Sequence, residues 1–180
     1  MNPDIVQRAA RVRLFLMDVD GVLTDGRLIN VPQPDGGVLE TKAFDSQDGI
    51  ALQWLSWHGI GTGVISGRVS PATVERAKQV GMRFVYQGHI EKIPILEEIQ
   101  KSSGVALEEM AFAGDDLTDA VVLRRVGLAI ATANARPELK RIANYVTAAS
   151  GGRGAVREIC ELLLQAHGRW GDILKKYEVE

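Results

Sequence analysis

LFLMDVDGVLTDG, Leu14 to Gly26, decides how the rest of the chain is read. Four apolar residues, Leu14–Met17, run without interruption into Asp18, and Asp20 follows one residue later. A short continuous apolar run of this kind, closed by an acid and then a glycine, is the pattern of a strand buried on both faces of a parallel sheet. Asp18 and Asp20 therefore stand at the end of a buried strand. A carboxylate there is expensive unless a partner satisfies it.

Working outward, the same pattern recurs at Gly61–Ile65, Arg83–Tyr86, Met110–Ala113 and Gly127–Ala131, and more weakly at Tyr145-Val146. Each run is bounded by Gly, Asp or Ser and predicts a further buried strand. Helical patterns lie between them. Ser70-Pro71 reads as an N-cap followed by proline at the first helical position, and the helix through Val74, Ala77 and Val80 stops at Gly81. Ile93, Leu96, Glu97 and Ile99 mark another helix, with Pro94 tolerated in its first turn. Leu117–Val126 and Ala155–Ala166 complete the set. This alternation predicts an α/β fold: a doubly wound, Rossmann-like parallel sheet with helices on both faces.

One segment breaks the alternation. Gly26–Phe44 carries two β-like arms around Pro32-Gln33-Pro34-Asp35-Gly36-Gly37, which predicts a β-hairpin flap directly after the two aspartates. The chain of 180 residues suits a single domain spanning 1–180, with 26–44 as an insertion. The tail, 169–180, is polar around Trp170, Ile173, Leu174 and Tyr177, and reads either as a short helix docking on a neighbour or as a fraying end.

Composition excludes several classes. A net charge of -2 argues against nucleic acid or an anionic membrane surface as a partner. Cys160 stands alone, so there is no internal disulfide and no cysteine-based zinc site, and its place in EICELLL suggests a buried structural thiol. MNPDIVQRAARVR lacks the apolar core of a signal peptide, and no apolar run is long enough to span a membrane. The expectation is a cytoplasmic protein. His58, His89 and His167 show no metal-ligand spacing, although His89 lies near Lys92 in sequence. Trp54 and Trp57, three apart on a helix, read as core or interface.

In an open α/β sheet, ligands bind beyond the carboxyl ends of the strands. Asp18 and Asp20 end the first strand, Ser66 ends the second, Lys92 opens the helix after the third, and Asp115-Asp116 end the fourth. Clustered carboxylates repel one another unless a cation intervenes. A hard, oxygen-seeking divalent ion such as Mg²⁺ relieves that repulsion and, with Lys92, would admit a phosphate dianion. An aspartate can then attack phosphorus while a second acid protonates the departing oxygen.

Asp18-Val19-Asp20-Gly21-Val22-Leu23-Thr24, Ser66-Gly67-Arg68, Lys92 and Gly114-Asp115-Asp116 together resemble the four motifs of haloacid dehalogenase-like phosphatases. DVDGVLTDG, the hairpin, QDGIAL, SGRVS, VYQGHIEK, GDDLTD and GGRGAVREIC resemble the cap-less 3-deoxy-D-manno-octulosonate 8-phosphate (KDO 8-phosphate) phosphatases, from about Arg13 to Gln165. The resemblance implies a Mg²⁺-dependent phosphatase acting on a small sugar-acid phosphomonoester in lipopolysaccharide precursor synthesis. It implies Asp18 as nucleophile and metal ligand, and Asp20 as general acid and base with its carbonyl on the metal. Asp115 would be the third ligand, supported by Asp116 and Asp119. Ser66 and Lys92 would hold the phosphoryl oxygens, with Lys92 also restraining Asp18, and Gly67, Arg68 and Arg76 would bind the substrate. It also implies a homotetramer in which neighbours close each other's sites, with Gly151-Gly152-Arg153-Gly154 a contributor from such a neighbour.

Two stretches depart from the family pattern. Asp45-Ser46-Gln47-Asp48-Gly49 stands where Asn-Val-Arg-Asp-Gly is common, and Gln53 stands where some members carry arginine. Another nonulosonate or small phosphomonoester is therefore the alternative substrate, and a non-catalytic oligomeric binding subunit is the alternative of another class. Individual residues have plainer readings. Asp115 could cap the helix near Leu117, Asp119 could be purely structural, and Lys92, Arg68 and Arg76 could be solvated. Asp18 and Asp20 lack the further acids of an EF-hand, and Gly151–Gly154 lacks the lysine and hydroxyl of a P-loop.

Overall fold

The computed structural model describes residues 2–179, and its centre is β1 (Leu14–Met17). β1 pairs in parallel with β4 (Gly61–Ile65) on one side and with β6 (Met110–Gly114) on the other. β5 (Phe84–Tyr86), β7 (Leu128–Ala131) and β8 (Tyr145–Val146) extend a parallel sheet of order β5-β4-β1-β6-β7-β8. The predicted strands all form, with boundaries shifted by at most one residue.

The unbroken apolar run of β1 has a direct cause. Phe15 and Met17 pack into the core on one face, and Leu14 and Leu16 into the core on the other. All four are buried, so no position on the strand tolerates a polar residue until it ends. Each such side chain contributes about 1.5–3 kcal/mol by leaving water. The first face is covered by α1 (Pro3–Ala9), α2 (Ser46–Trp57), α3 (Pro71–Val80), α7 (Ala155–Ala166) and α8 (Trp170–Lys176). The second is covered by α4 (Ile93–Ser103), α5 (Ala120–Leu123) and α6 (Pro137–Lys140). After β5 the chain crosses from the β4 side of β1 to β6, which opens a crevice at the carboxyl end of β1.

Several elements differ from the sequence expectation. Leu117–Val126 is not one helix: a tight turn over Leu117–Asp119 precedes the short α5. Asp119 turns its carboxylate back onto the amides of Asp115 and Asp116, and Gly127 must press against the Glu108 carbonyl, where a Cβ would fall 2.0 Å away. Ser70 occupies the cap position of α3, but its hydroxyl caps nothing, and its amide donates instead to Gln87 Oε1 at 2.7 Å. Gly81 ends α3 in the left-handed region at φ 73°, as expected. The N-terminal helix α1 was not anticipated, although Asn2-Pro3 is a start signal: Asn2 accepts from the Asp4 amide at 3.0 Å.

α7 begins after Gly154, which has no side chain with which to cap it. Asp48 on α2 supplies the acceptor, taking the Arg157 amide at 2.7 Å. Burial pushes the Asp48 carboxyl up to about 6, against the pull of that amide. The tail folds onto its own chain as α8. Ile173 is buried, Trp170 lies 5.9 Å from Trp54 between ring centres, and Trp54 Nε1 donates to the Tyr177 hydroxyl at 3.3 Å. Trp54 is therefore core, whereas Trp57 is half exposed beneath the Lys176 ammonium. Cys160 is buried, and burial raises its pKa.

The insertion is a two-stranded antiparallel ribbon, β2 (Ile29–Pro32) and β3 (Val38–Thr41), turned at Gly36 with φ 85°. It is not hydrogen-bonded into the main sheet, and every residue of β2 is exposed.

Candidate functional site

The crevice at the carboxyl end of β1 is a cavity of about 350 Å³. Asp18, Asp20, Ser66, Gly67, Arg68, Lys92, Asp115 and Asp116 all line it, together with Gly26, Ile90 and Thr118. Four strand ends thus deliver the expected groups to one space.

Lys92 organises the floor. Its side chain is 1% exposed, and its Nζ lies 3.1 Å from Asp18 Oδ2 and 2.6 Å from Asp119 Oδ1. Burial works against the ammonium, but the Asp119 and Asp18 carboxylates outweigh it and hold its pKa above the ordinary lysine value. Asp119 is itself fully buried. Its second oxygen accepts the amides of Asp115 at 2.9 Å and Asp116 at 3.3 Å, so it fixes the turn that carries both. Gly114 makes room for this, since a Cβ there would lie 2.4 Å from the Asp119 Cβ.

Asp18 accepts the Val19 amide on Oδ1 at 2.6 Å and faces Lys92 with Oδ2. Burial raises its pKa to about 6 against the pull of Lys92. Burial, then the charges of Asp119, Asp18 and Asp116, raise Asp115 to about 7. Carboxylate oxygens of Asp18, Asp115 and Asp119 lie within 4.8 Å of one another. Asp119 is already occupied by Lys92 and two amides, which leaves Asp18 and Asp115 as the acids able to receive a cation. The donors are all hard oxygens, and burial above all, with the neighbouring carboxylates adding to it at Asp115, disfavours their charged forms unless a cation is present, so the cluster fits Mg²⁺.

The turn after β1 is held from below. Gly21 sits at φ 87°, and a Cβ there would fall 2.1 Å from Asp115 Oδ2. Asn134 Nδ2 and Thr132 Oγ1 donate to the Gly21 carbonyl at 2.9 and 3.3 Å. Neither residue was anticipated; the polar Thr132-Ala133-Asn134 stretch after the fifth strand run was the available signal. Ser66 is buried at the end of β4, and its hydroxyl accepts the Arg68 amide at 3.2 Å.

Two further unanticipated residues come from the hairpin. Lys42 contacts Asp20 Oδ1, and Glu40 pairs with Arg68. Their signal was two opposite charges two residues apart, which alternation places on one side of an arm.

Other expectations are corrected. Arg76 does not reach the cavity: its Nη2 donates to the Asp45 carbonyl at 2.8 Å and its guanidinium lies over the Phe44 ring, because α3 runs away from the strand ends. Asp116, not Asp115, is the cap, accepting the Leu117 amide at 2.7 Å. His89 is exposed beside the Tyr86 ring and does not line the cavity. Gly151 and Gly152 pack within their own chain, where Cβ atoms would fall 1.9 Å from the Gly21 carbonyl oxygen and 2.4 Å from the Asp25 amide. Gln53 donates to the Gln79 carbonyl at 3.2 Å, and Gln47 is exposed at the start of α2. Neither lines the Asp18 cavity, so both departures lie outside the reaction centre.

A sequence model of the haloacid dehalogenase-like hydrolases matches residues 65–159. A 3-deoxy-D-manno-octulosonate 8-phosphate phosphatase from Yersinia pestis is 40% identical over 166 residues, covering 92% of this chain and 87% of that one. The chain belongs to this family. The Escherichia coli K12 phosphatase of the same name is 37% identical over 94% of this chain and 88% of its own length. Among solved structures of the family, the Moraxella catarrhalis phosphatase in complex with magnesium, phosphate and KDO superimposes with a TM-score of 0.92. It shares 38% identity and covers 98% of this chain and 99% of that one.

Proposed function

We propose that this protein is a magnesium-dependent phosphatase that hydrolyses KDO 8-phosphate to KDO and phosphate. The observation that carries the reading is the convergence of Asp18, Asp20, Ser66, Lys92 and Asp115 on one cavity. The Moraxella relative, crystallised with magnesium, phosphate and KDO, supports the choice of cofactor and substrate.

Asp18 and Asp115, with the Asp20 backbone carbonyl, would hold the metal. When bound, Mg²⁺ supplies positive charge to the phosphoryl oxygens. Ser66, Gly67 and Lys92 hold the remaining oxygens, and Arg68 at the cavity wall grips the sugar acid. The Asp18 carboxylate attacks phosphorus, and the ester P–O bond breaks. Asp20 delivers its proton to the departing sugar oxygen. Asp20 then takes a proton from water, which attacks phosphorus and frees phosphate and Asp18. Lys92 and the Val19 amide hold Asp18 in one orientation throughout. Asp116 and Asp119 fix the turn that carries Asp115.

We further propose one catalytic domain over 1–180, with the hairpin 26–44 inserted, acting as a cytoplasmic homotetramer in lipopolysaccharide precursor synthesis. Exposed Val31, Val38 and Leu39 on a ribbon with no core of its own support a partner copy there. Among the described residues no helix is long and apolar enough to cross a membrane.

The test is phosphate release from a panel of phosphomonoesters, with Mg²⁺ or chelator. Strong Mg²⁺-dependent preference for KDO 8-phosphate is expected, and Asp18→Asn is expected to abolish turnover by on the order of 10⁵-fold without unfolding the chain. Release from other esters alone would change the substrate. Release from none would favour a binding subunit.

A further inference from the structure

We infer that Lys42, at the outgoing end of the hairpin, is a positioning residue for Asp20. The inference rests on the reading above, because it matters only if Asp20 moves a proton to the leaving-group oxygen. Lys42 is unusual for its location. β2 is exposed throughout, yet the Lys42 side chain is 2% exposed. A buried ammonium requires counter-charge. It has Asp20 Oδ1 in direct contact and Glu40 Oε1 at 3.6 Å. Glu40 pairs in turn with Arg68, whose Nε lies 3.9 Å from Asp20 Oδ2. Two acids and two cations, drawn from the β1 turn, the hairpin and the loop after β4, close a ring whose formal charges cancel.

This ring makes the two oxygens of Asp20 inequivalent. Oδ1 is held by Lys42. Oδ2 is buried, has no hydrogen-bond partner among the described residues, and belongs to a side chain that lines the cavity. The anchored oxygen fixes the carboxylate, and the unpartnered one is left for proton transfer. Such transfer requires an oxygen within about 2.6–3.2 Å of the atom it serves. A misplacement of about 1 Å can slow a reaction by roughly 10²-fold. The hairpin thus does more than cover the crevice: its Lys42 completes the acid.

The experiment compares kcat/KM across a series of substituted phenyl phosphates and KDO 8-phosphate, with wild type, Lys42→Met and Lys42→Arg at saturating Mg²⁺. Good leaving groups depart without a proton, whereas an alkoxide does not. Lys42→Met is expected to lower kcat/KM by on the order of 10²-fold for KDO 8-phosphate and by less than about threefold for p-nitrophenyl phosphate, with a steeper dependence on leaving-group pKa. Lys42→Arg is expected to restore most of the loss. An equal loss on every ester, or no loss on any, overturns the inference. If Lys42→Met does not fold, Lys42→Gln is read in the same way. Wild type without phosphatase activity, or Asp18→Asn with full activity, would sink the underlying reading instead. An active wild type, an inactive Asp18→Asn and an unchanged slope would sink only the role of Lys42.

Discussion

The end of β1 is enclosed on every side. Lys92 has two carboxylates, Asp119 has an ammonium and two amides, and the Gly21 carbonyl has two side-chain donors. The hairpin that begins a few residues later is bare. Its first strand is exposed, its apolar residues face outward, and it is anchored through a few ion pairs at its base. Both regions descend from the same short stretch, Asp18–Thr41. The first can hold repelling charges because neighbouring strands and helices over-determine it. The second has too little buried surface to stand alone and must draw order from the centre or from another copy.

The comparison can be broken at its strong end. Lys92→Met would leave Asp119 buried with an unpaired charge, a change that costs about 3–5 kcal/mol. The melting temperature should fall by roughly 10 °C, and Lys92→Met combined with Asp119→Asn should recover part of that fall; a single variant as stable as wild type would refute the account.

Asp115→Asn tests the electrostatic cause from the other direction. Magnesium affinity, measured by calorimetry, should drop by on the order of 10³-fold, more than the ~10–100-fold typical of losing an outer partner. The metal-free variant should nonetheless melt higher than metal-free wild type at pH 7.5, since it removes one member of a repelling set. A lower melting temperature would show that the carboxylate is satisfied without a cation.

At the weak end, Val31→Asp with Leu39→Asp should dissociate the assembly in sedimentation experiments while moving the melting temperature of the main sheet by no more than about 3 °C, as expected for exposed positions. Retention of the assembly would place its interface elsewhere.

The smallest effect belongs to Asp48, buried in the core yet with one oxygen lacking a hydrogen-bond partner among the described residues. Its folded pKa of about 6 exceeds the ordinary 3.8, so the folded state binds the extra proton between those values. The stability from this group is present below pH 4 and is lost as pH rises through 6. Asp48→Asn should therefore stabilise the protein by about 1–2 kcal/mol at pH 8 and have little effect at pH 4. A pH-independent difference between the two proteins in urea melts would remove the assigned cause.

Much of this molecule was legible in its residues. Strand after strand could be read because each is buried on both faces, and burial leaves no freedom in the choice of side chain. Asp18, Asp20, Ser66, Lys92 and Asp115 could be read because strand ends in a parallel sheet converge whatever lies between them. What tertiary structure alone decided was where the long polar side chains went. Arg76 turned to a backbone carbonyl, Asp116 took the cap that Asp115 could equally have filled, and Lys42 reached Asp20 from a ribbon that looked like a cover. Hydrophobic period is a property of one segment, and it survives in a linear string. The partner of a charge is chosen across space, among groups far apart in sequence, and exists only once the chain has folded.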